Sequence, residues 1–202
     1  VPDDSSPRPH HRPAQRDGGF FETVVGGTDP ALVTEAADRA ATLLVRGARE
    51  AQDDAVAERL VGLADSEGIE AIAEVWSSSP ADSLAGCLWR LFLLRSWVHA
   101  DAVGVAAEFE AGRASAEFAH VVAGVADPPG PEELRAMVDA VLRGIATSDF
   151  ADVLFRAAAF ARVVSAGRAA SSGASEASVR RILALAEQLE AAGHQEMRQR
   201  LV

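Results

Sequence analysis

After residue 20, apolar positions along this chain recur with a helical period almost without interruption. In "GGTDPALVTEAADRAATLLVRGARE", Leu32, Ala36, Ala40, Leu43 and Leu44 fall at helical spacing on one side, the side an amphipathic helix turns toward a core. Asp29 suits the N-cap, and Pro30 the first turn, where its missing N–H does no harm. "DDAVAERLVGLADSEG" starts from an Asp cap and ends at Gly68, a left-handed stop. Ile69 to Trp76 predicts a short helix closed by "SSSP", after which Pro80 opens a central helix to about Ala100. Asp101 caps a further helix to about Gly112, and Ser115 another to about Val125. "ADPPGPEEL" breaks the pattern, and Pro131 with its two glutamates starts the next helix, to about 146. A helix over about 149–166, the small-residue loop "SAGRAASSGASEAS" and an amphipathic helix over about 176–200 complete the chain. Period-two runs bounded by turn residues are missing, so the expected fold class is all-α. The expected architecture is a compact helical bundle, or a short stack of helix pairs, with about eight or nine helices. Residues 1–19, rich in Pro, Arg, His and Asp, form an expected disordered tail, and 20–202 a single helical domain.

The most apolar stretch, "SLAGCLWRLFLLRSWV", carries Arg90 and Arg95. Asp82 and His99 bracket only sixteen positions, short of the roughly 20 a membrane span needs. A charge at bilayer depth costs about 2.5–3.5 kcal/mol even on a lenient scale. A helix apolar on nearly every face belongs instead inside a protein, with Leu84, Leu88, Leu91, Phe92, Leu94, Trp97 and Val98 as its core residues. The two arginines stand about 140° apart on the helix and leave by different sides. Each stem then packs on apolar neighbours while the guanidinium reaches the rim or pairs with an acid such as Glu74 or Glu108. The alternative is that Arg90 faces a cleft and holds an anion or a partner's acidic group. That alternative extends to Arg156, because "LAGCLWR" and "FADVLFR" share one pattern at an offset of 66 residues. Paired helices repeated in this way build solenoids, and the match divides the domain into candidate sub-units 20–126 and 131–202.

Composition narrows the partners. The formal net charge is -11, against the basic surface that duplex-coating proteins present, so nucleic acid is not the expected partner. All nineteen basic residues are Arg, and Lys, Asn and Tyr are absent, the mark of a high-GC genome. Cys87 is alone, which excludes an intramolecular disulfide and a cysteine-built metal cluster. The N-terminal stretch has no apolar signal core, and the expected location is the cytoplasm.

Candidate chemistry is sparse. Glu117 and His120 form one Glu-x-x-His, the spacing that puts two ligands on one helix face in di-iron bundles. Such a centre needs a second copy and two further glutamates; the nearest approach is Glu190 with His194, so no metal or other cofactor is expected. His99 at a helix end is favoured by the helix dipole. Gly-rich phosphate loops, His-Glu-x-x-His and nucleophile elbows are absent. "FFETVV", between two Gly pairs, reads as an apolar clip that docks on the bundle, with Phe20 and Phe21 as alternative partner contacts.

"FFETVVGG", "GIEAIAEVW" and "LAGCLWRLFLLR" resemble a family of short helical actinobacterial proteins without an assigned activity, some labelled DNA-directed RNA polymerase subunit beta. The resemblance covers roughly residues 20–165 and implies an actinobacterial cytoplasm, with no catalytic residues to carry over. The label implies a transcription-associated factor, although a beta subunit is several times longer. The reading that emerges is a non-enzymatic, regulatory or interaction protein that binds another protein through a helical groove or its N-terminal segment. The alternative is a helical protein binding a metal through Glu117 and His120, or a small anion through Arg90 and Arg156.

Overall fold

The computed structural model describes residues 30–47, 75–113, 130–198 and 201. Every regular element among them is helical: α1 (Pro30–Thr42, continued by a π-helical turn, Leu43–Gly47), α2 (Leu84–Ala100), α3 (Ala102–Arg113), α4 (Pro131–Thr147), α5 (Phe150–Ala170) and α6 (Glu176–Arg198). The expected all-α class holds for the described residues, which contain six helices; the expected helix over Ile69 to Trp76 lies mostly outside them. The tail, "FFETVV", the helix from Asp53 and the helix from Ser115 lie outside the described residues. Among the described residues, no helix is long and apolar enough to cross a membrane.

Helix α2 is the axis of the core. Leu84, Leu88, Leu91, Phe92, Leu94 and Val98 are all buried, and Trp89 and Trp97 are half-buried against the same cluster. Pro80 does not open this helix, as its sequence position suggests. It lies in a preceding turn, and Ser83 is the N-cap, its hydroxyl oxygen accepting from the Gly86 N–H at 3.1 Å. The Ser83 N–H and hydroxyl both donate to the Pro80 carbonyl, at 3.2 and 3.0 Å. The Pro80 carbonyl presses so closely on Gly86 that a Cβ there would overlap it, which fixes the helix start four residues later. At the far end Asp101 serves two helices. Its N–H closes α2 on the Trp97 carbonyl at 3.1 Å, and its carboxylate accepts from the Gly104 N–H at 3.1 Å to cap α3.

Helices α4, α5 and α6 close over α2 by different devices, and α1 adds to the cover. α4 is amphipathic, with Leu134, Val138, Leu142 and Ile145 forming one buried stripe that starts behind Pro131 at the first position. α5, capped by Asp149 onto the Ala151 N–H, is buried on most sides, and its Phe160 stacks on Phe109 of α3 with ring centres 5.5 Å apart. α6 returns antiparallel to α5, placing His194 edge-on to Phe155 and burying Ile182, Ala186 and Leu189. The large rings at 92, 109, 150 and 160 are fully buried, each contributing about 1.5–3 kcal/mol by removal from water.

Two sequence expectations are corrected here. The loop "SAGRAASSGASEAS" begins later than its small residues suggest, because α5 runs on to Ala170. Gly167 is retained inside the helix since it meets Gly112 and the Glu108 carbonyl of α3, where a side chain would not fit. The chain then turns through Gly173, whose φ of 108° lies in the left-handed region. The second correction concerns α1. Ala37, Ala41 and Val45 are buried and Leu44 packs half-buried against the same core, whereas Leu32 is 58% and Leu43 69% exposed, so the helix is rotated away from the expected stripe, of which Leu44 alone reaches the core. The cause is Trp76: its ring stacks over Phe92 and its indole N–H donates to the Ala37 carbonyl at 3.2 Å. Only a row of small residues admits the helix that close.

The α3–α5 contact yields a direct test. Gly167→Ala forces a Cβ onto the Glu108 backbone, and Gly112→Ala onto the Val163 carbonyl. Each substitution is expected to cost about 1–3 kcal/mol or more by overpacking, despite the better helix propensity of Ala. Urea unfolding checks this; a neutral or stabilising result for both would show that the helices can part without penalty.

Candidate functional site

The arginines most open to a functional reading are largely committed to the fold. Arg95 is buried on α2, and its Nε donates to Asp139 Oδ1 of α4 at 2.6 Å. His99, one turn on, places Nε2 at 3.0 Å from the same oxygen, and its carbonyl accepts from Arg135 at 3.4 Å. Asp139 therefore gathers both basic groups of α2's C-terminal half, and the counter-ion of Arg95 is not Glu108. Glu108 is held by Arg168 of α5 in a two-point contact of 2.7 and 2.9 Å, and Arg168 lies over the Trp97 ring, 5.2 Å from its centre. Glu74 lies outside the described residues. Arg162 pairs with Glu190 of α6, leaving that carboxylate engaged.

A fourth assembly joins the two ends of the described fold. Arg46, in the π-helical turn, contacts both oxygens of the buried Glu196 at 2.6 and 2.9 Å. Glu196 also accepts from the Leu201 N–H at 2.8 Å, while Arg46 donates to the Leu201 carbonyl at 3.2 Å. Leu201 is buried as a result. The Arg46, Arg95 and Arg168 pairs cross between helices and are mostly removed from water, so breaking one costs more than a surface bridge, whereas the Arg162–Glu190 pair is about a third exposed.

Arg90 is different. Its Nε donates to Gln188 Oε1 at 2.7 Å and its Nη1 to the Gly86 carbonyl at 2.7 Å, both neutral acceptors. Burial holds its pKa below the ordinary arginine value, opposed in part by Cys87 and Asp82. Arg156 is exposed on α5. The two "apolar–Ala–x–x–apolar–aromatic–Arg" segments do share a burial pattern. Positions 84, 85, 87 and 88 are buried, as are 150, 151, 153 and 154, and Trp89 and Phe155 are both half-buried. The likeness ends at the arginine: the structure holds Arg90 against α6 and leaves Arg156 in solvent. Glu117, His120, Phe20 and Phe21 lie outside the described residues. Among the described residues, no cluster of three or more His, Cys, Asp or Glu could hold a metal ion.

Cys87 is fully buried beside Arg90, and desolvation pushes its thiol up to about 12, with Arg90 opposing the shift only in part. Such a thiol is protonated and inert at neutral pH.

What α1 leaves uncovered is the larger surface feature. Leu32 and Leu43, eleven residues apart, lie within about 20° of each other on the helix and point directly away from Ala41. Ala36 and Ala40 beside them are exposed, as is the Glu35–Arg39 pair, bonded at 2.6 Å along the helix. The sequence pattern points this stripe at the core, and the structure turns all of it but Leu44 outward. The competing row Ala37–Ala41–Val45, at strict four-residue spacing, was the missed signal. Comparison with protein-family models, with curated proteins and with solved structures finds no match in any of the three.

Two predictions test these assignments. Asp139→Ala removes the carboxylate that Arg95 and His99 share and is expected to cost about 1.5–3 kcal/mol in urea unfolding; a loss below about 1 kcal/mol would reduce the contact to the value of a surface pair. The thiol gives a pH dependence of known sign. Because the folded pKa is raised, the unfolded chain releases its proton first, so stability is intact below the ordinary value of 9.0 and falls between there and about 12. Cys87→Ala should flatten that alkaline decline, and native protein at about pH 8 should not react with a thiol reagent until it is unfolded.

Proposed function

We propose that the chain is a non-enzymatic protein-interaction module whose contact surface is the outward face of α1. The observation that supports this reading is the pair of large exposed apolar side chains, Leu32 and Leu43, on the helix face turned away from the core. A stripe of this kind contributes nothing to the fold beneath it, and its burial by another protein would gain about 1.5–3 kcal/mol for each leucine. The commitment of Arg46, Arg95, Arg162 and Arg168 to carboxylates of neighbouring helices supports the same view, since these groups serve packing. The likeness to helical actinobacterial proteins without assigned activity is compatible with such a role.

The test compares the intact chain with a Leu32→Glu/Leu43→Glu variant in affinity capture from native cells. Both positions are exposed, so the variant should keep the parent's thermal transition within a few degrees. The expected result is that proteins retained by the parent are lost by the variant. Equal capture by both would remove α1 as the contact surface.

A further inference from the structure

The outward face of α1 has a symmetry that identifies its occupant. Leu32 and Leu43 stand about 16 Å apart along the axis, with the small Ala36 and Ala40 between them. Glu35 lies on one side of the midpoint and Arg39 on the other, each more than half exposed. The geometry points to a second copy of this chain, docked two-fold symmetrically with its α1 antiparallel to the first. This inference rests on the reading of α1 as the contact surface and names its partner.

In the antiparallel arrangement Leu32 of each copy meets Leu43 of the other, and the alanines at the centre let the helices approach. Arg39 then comes within about one helical residue, roughly 1.5 Å along the axis, of the other copy's Glu35. Each copy thus presents a cation to an anion at both symmetry-related places, as a self-complementary interface requires. A parallel pairing would set Glu35 against Glu35 and Arg39 against Arg39, so charge selects the antiparallel form. The face of one helix is smaller than the roughly 800 Å² per partner of a standard interface, so the association should be weak, with a dissociation constant in the micromolar range.

Sedimentation equilibrium of the full chain is the primary measurement. The expected result is a mass rising from 21.1 kDa toward twice that value with concentration. Leu43→Glu should raise the dissociation constant at least about tenfold. Glu35→Arg should weaken pairing, and the swapped Glu35→Arg/Arg39→Glu chain should recover it. Orientation is read from cysteines: mixing Leu32→Cys with Leu43→Cys chains should give the mixed disulfide in excess over either homodimer, Cys87 being buried and silent. A predominance of homodimers would overturn the antiparallel arrangement. A chain that stays monomeric at all concentrations would overturn self-pairing. In that case, α1-dependent capture from native cells would show that the contact surface stands with a different partner, whereas equal capture by parent and variant would remove both readings.

Discussion

The enclosure of α2 is the constraint from which the other features follow. A helix apolar on nearly all sides cannot lie on a surface, so every neighbouring helix must contribute something to cover it. α4 contributes a leucine–valine–isoleucine stripe, α1 a row of alanines beneath Trp76, and α5 and α6 a broad apolar slab. The cover is incomplete in one place only among α2's large aliphatics: Leu93 is 39% exposed. The cost of this design falls on Arg95, which cannot reach water and so draws Asp139 and, through it, His99 into a shared contact. Covering an apolar helix that carries cations thus dictates where the acids of its neighbours must sit.

Close approach is the second organising influence. Where α3 crosses α5, Gly112 and Gly167 meet backbone to backbone, and the two-point Glu108–Arg168 pair spans the helices beside that crossing. The glycines bring the helices near enough for the ion pair to be short, and Trp97 shields it from one side. Packing and electrostatics are therefore not separable at this junction. A change that widened the crossing would lengthen the charge pair as well.

The sequence was most informative where one physical signal dominated. Uniform apolarity identified α2 as core, and the Pro-Glu-Glu start identified α4 to within a residue. The boundaries that moved did so for tertiary reasons: Pro80 yielded to Ser83 as the helix start, and α5 continued through Gly167 because α3 needed that glycine. The orientation of α1 was only weakly marked locally, since leucines at 32 and 43 outweigh the four-residue row Ala37–Ala41–Val45 in a hydrophobic pattern. Only the indole N–H of Trp76, thirty-nine positions from its acceptor, shows why the smaller side faces inward. Partner choice among charges was hidden in the same way, because Arg95 and Asp139 are joined by the packing of two helices and not by spacing.

The Arg46–Glu196 clamp ties positions 150 residues apart, and Leu201 is drawn into the same contact. Closing so long a loop forfeits chain entropy unless the intervening helices have already packed, so this contact is expected to form late in folding. A contact formed that late slows escape from the native basin while leaving the speed of arrival nearly untouched. The clamp thus acts chiefly as a latch on lifetime.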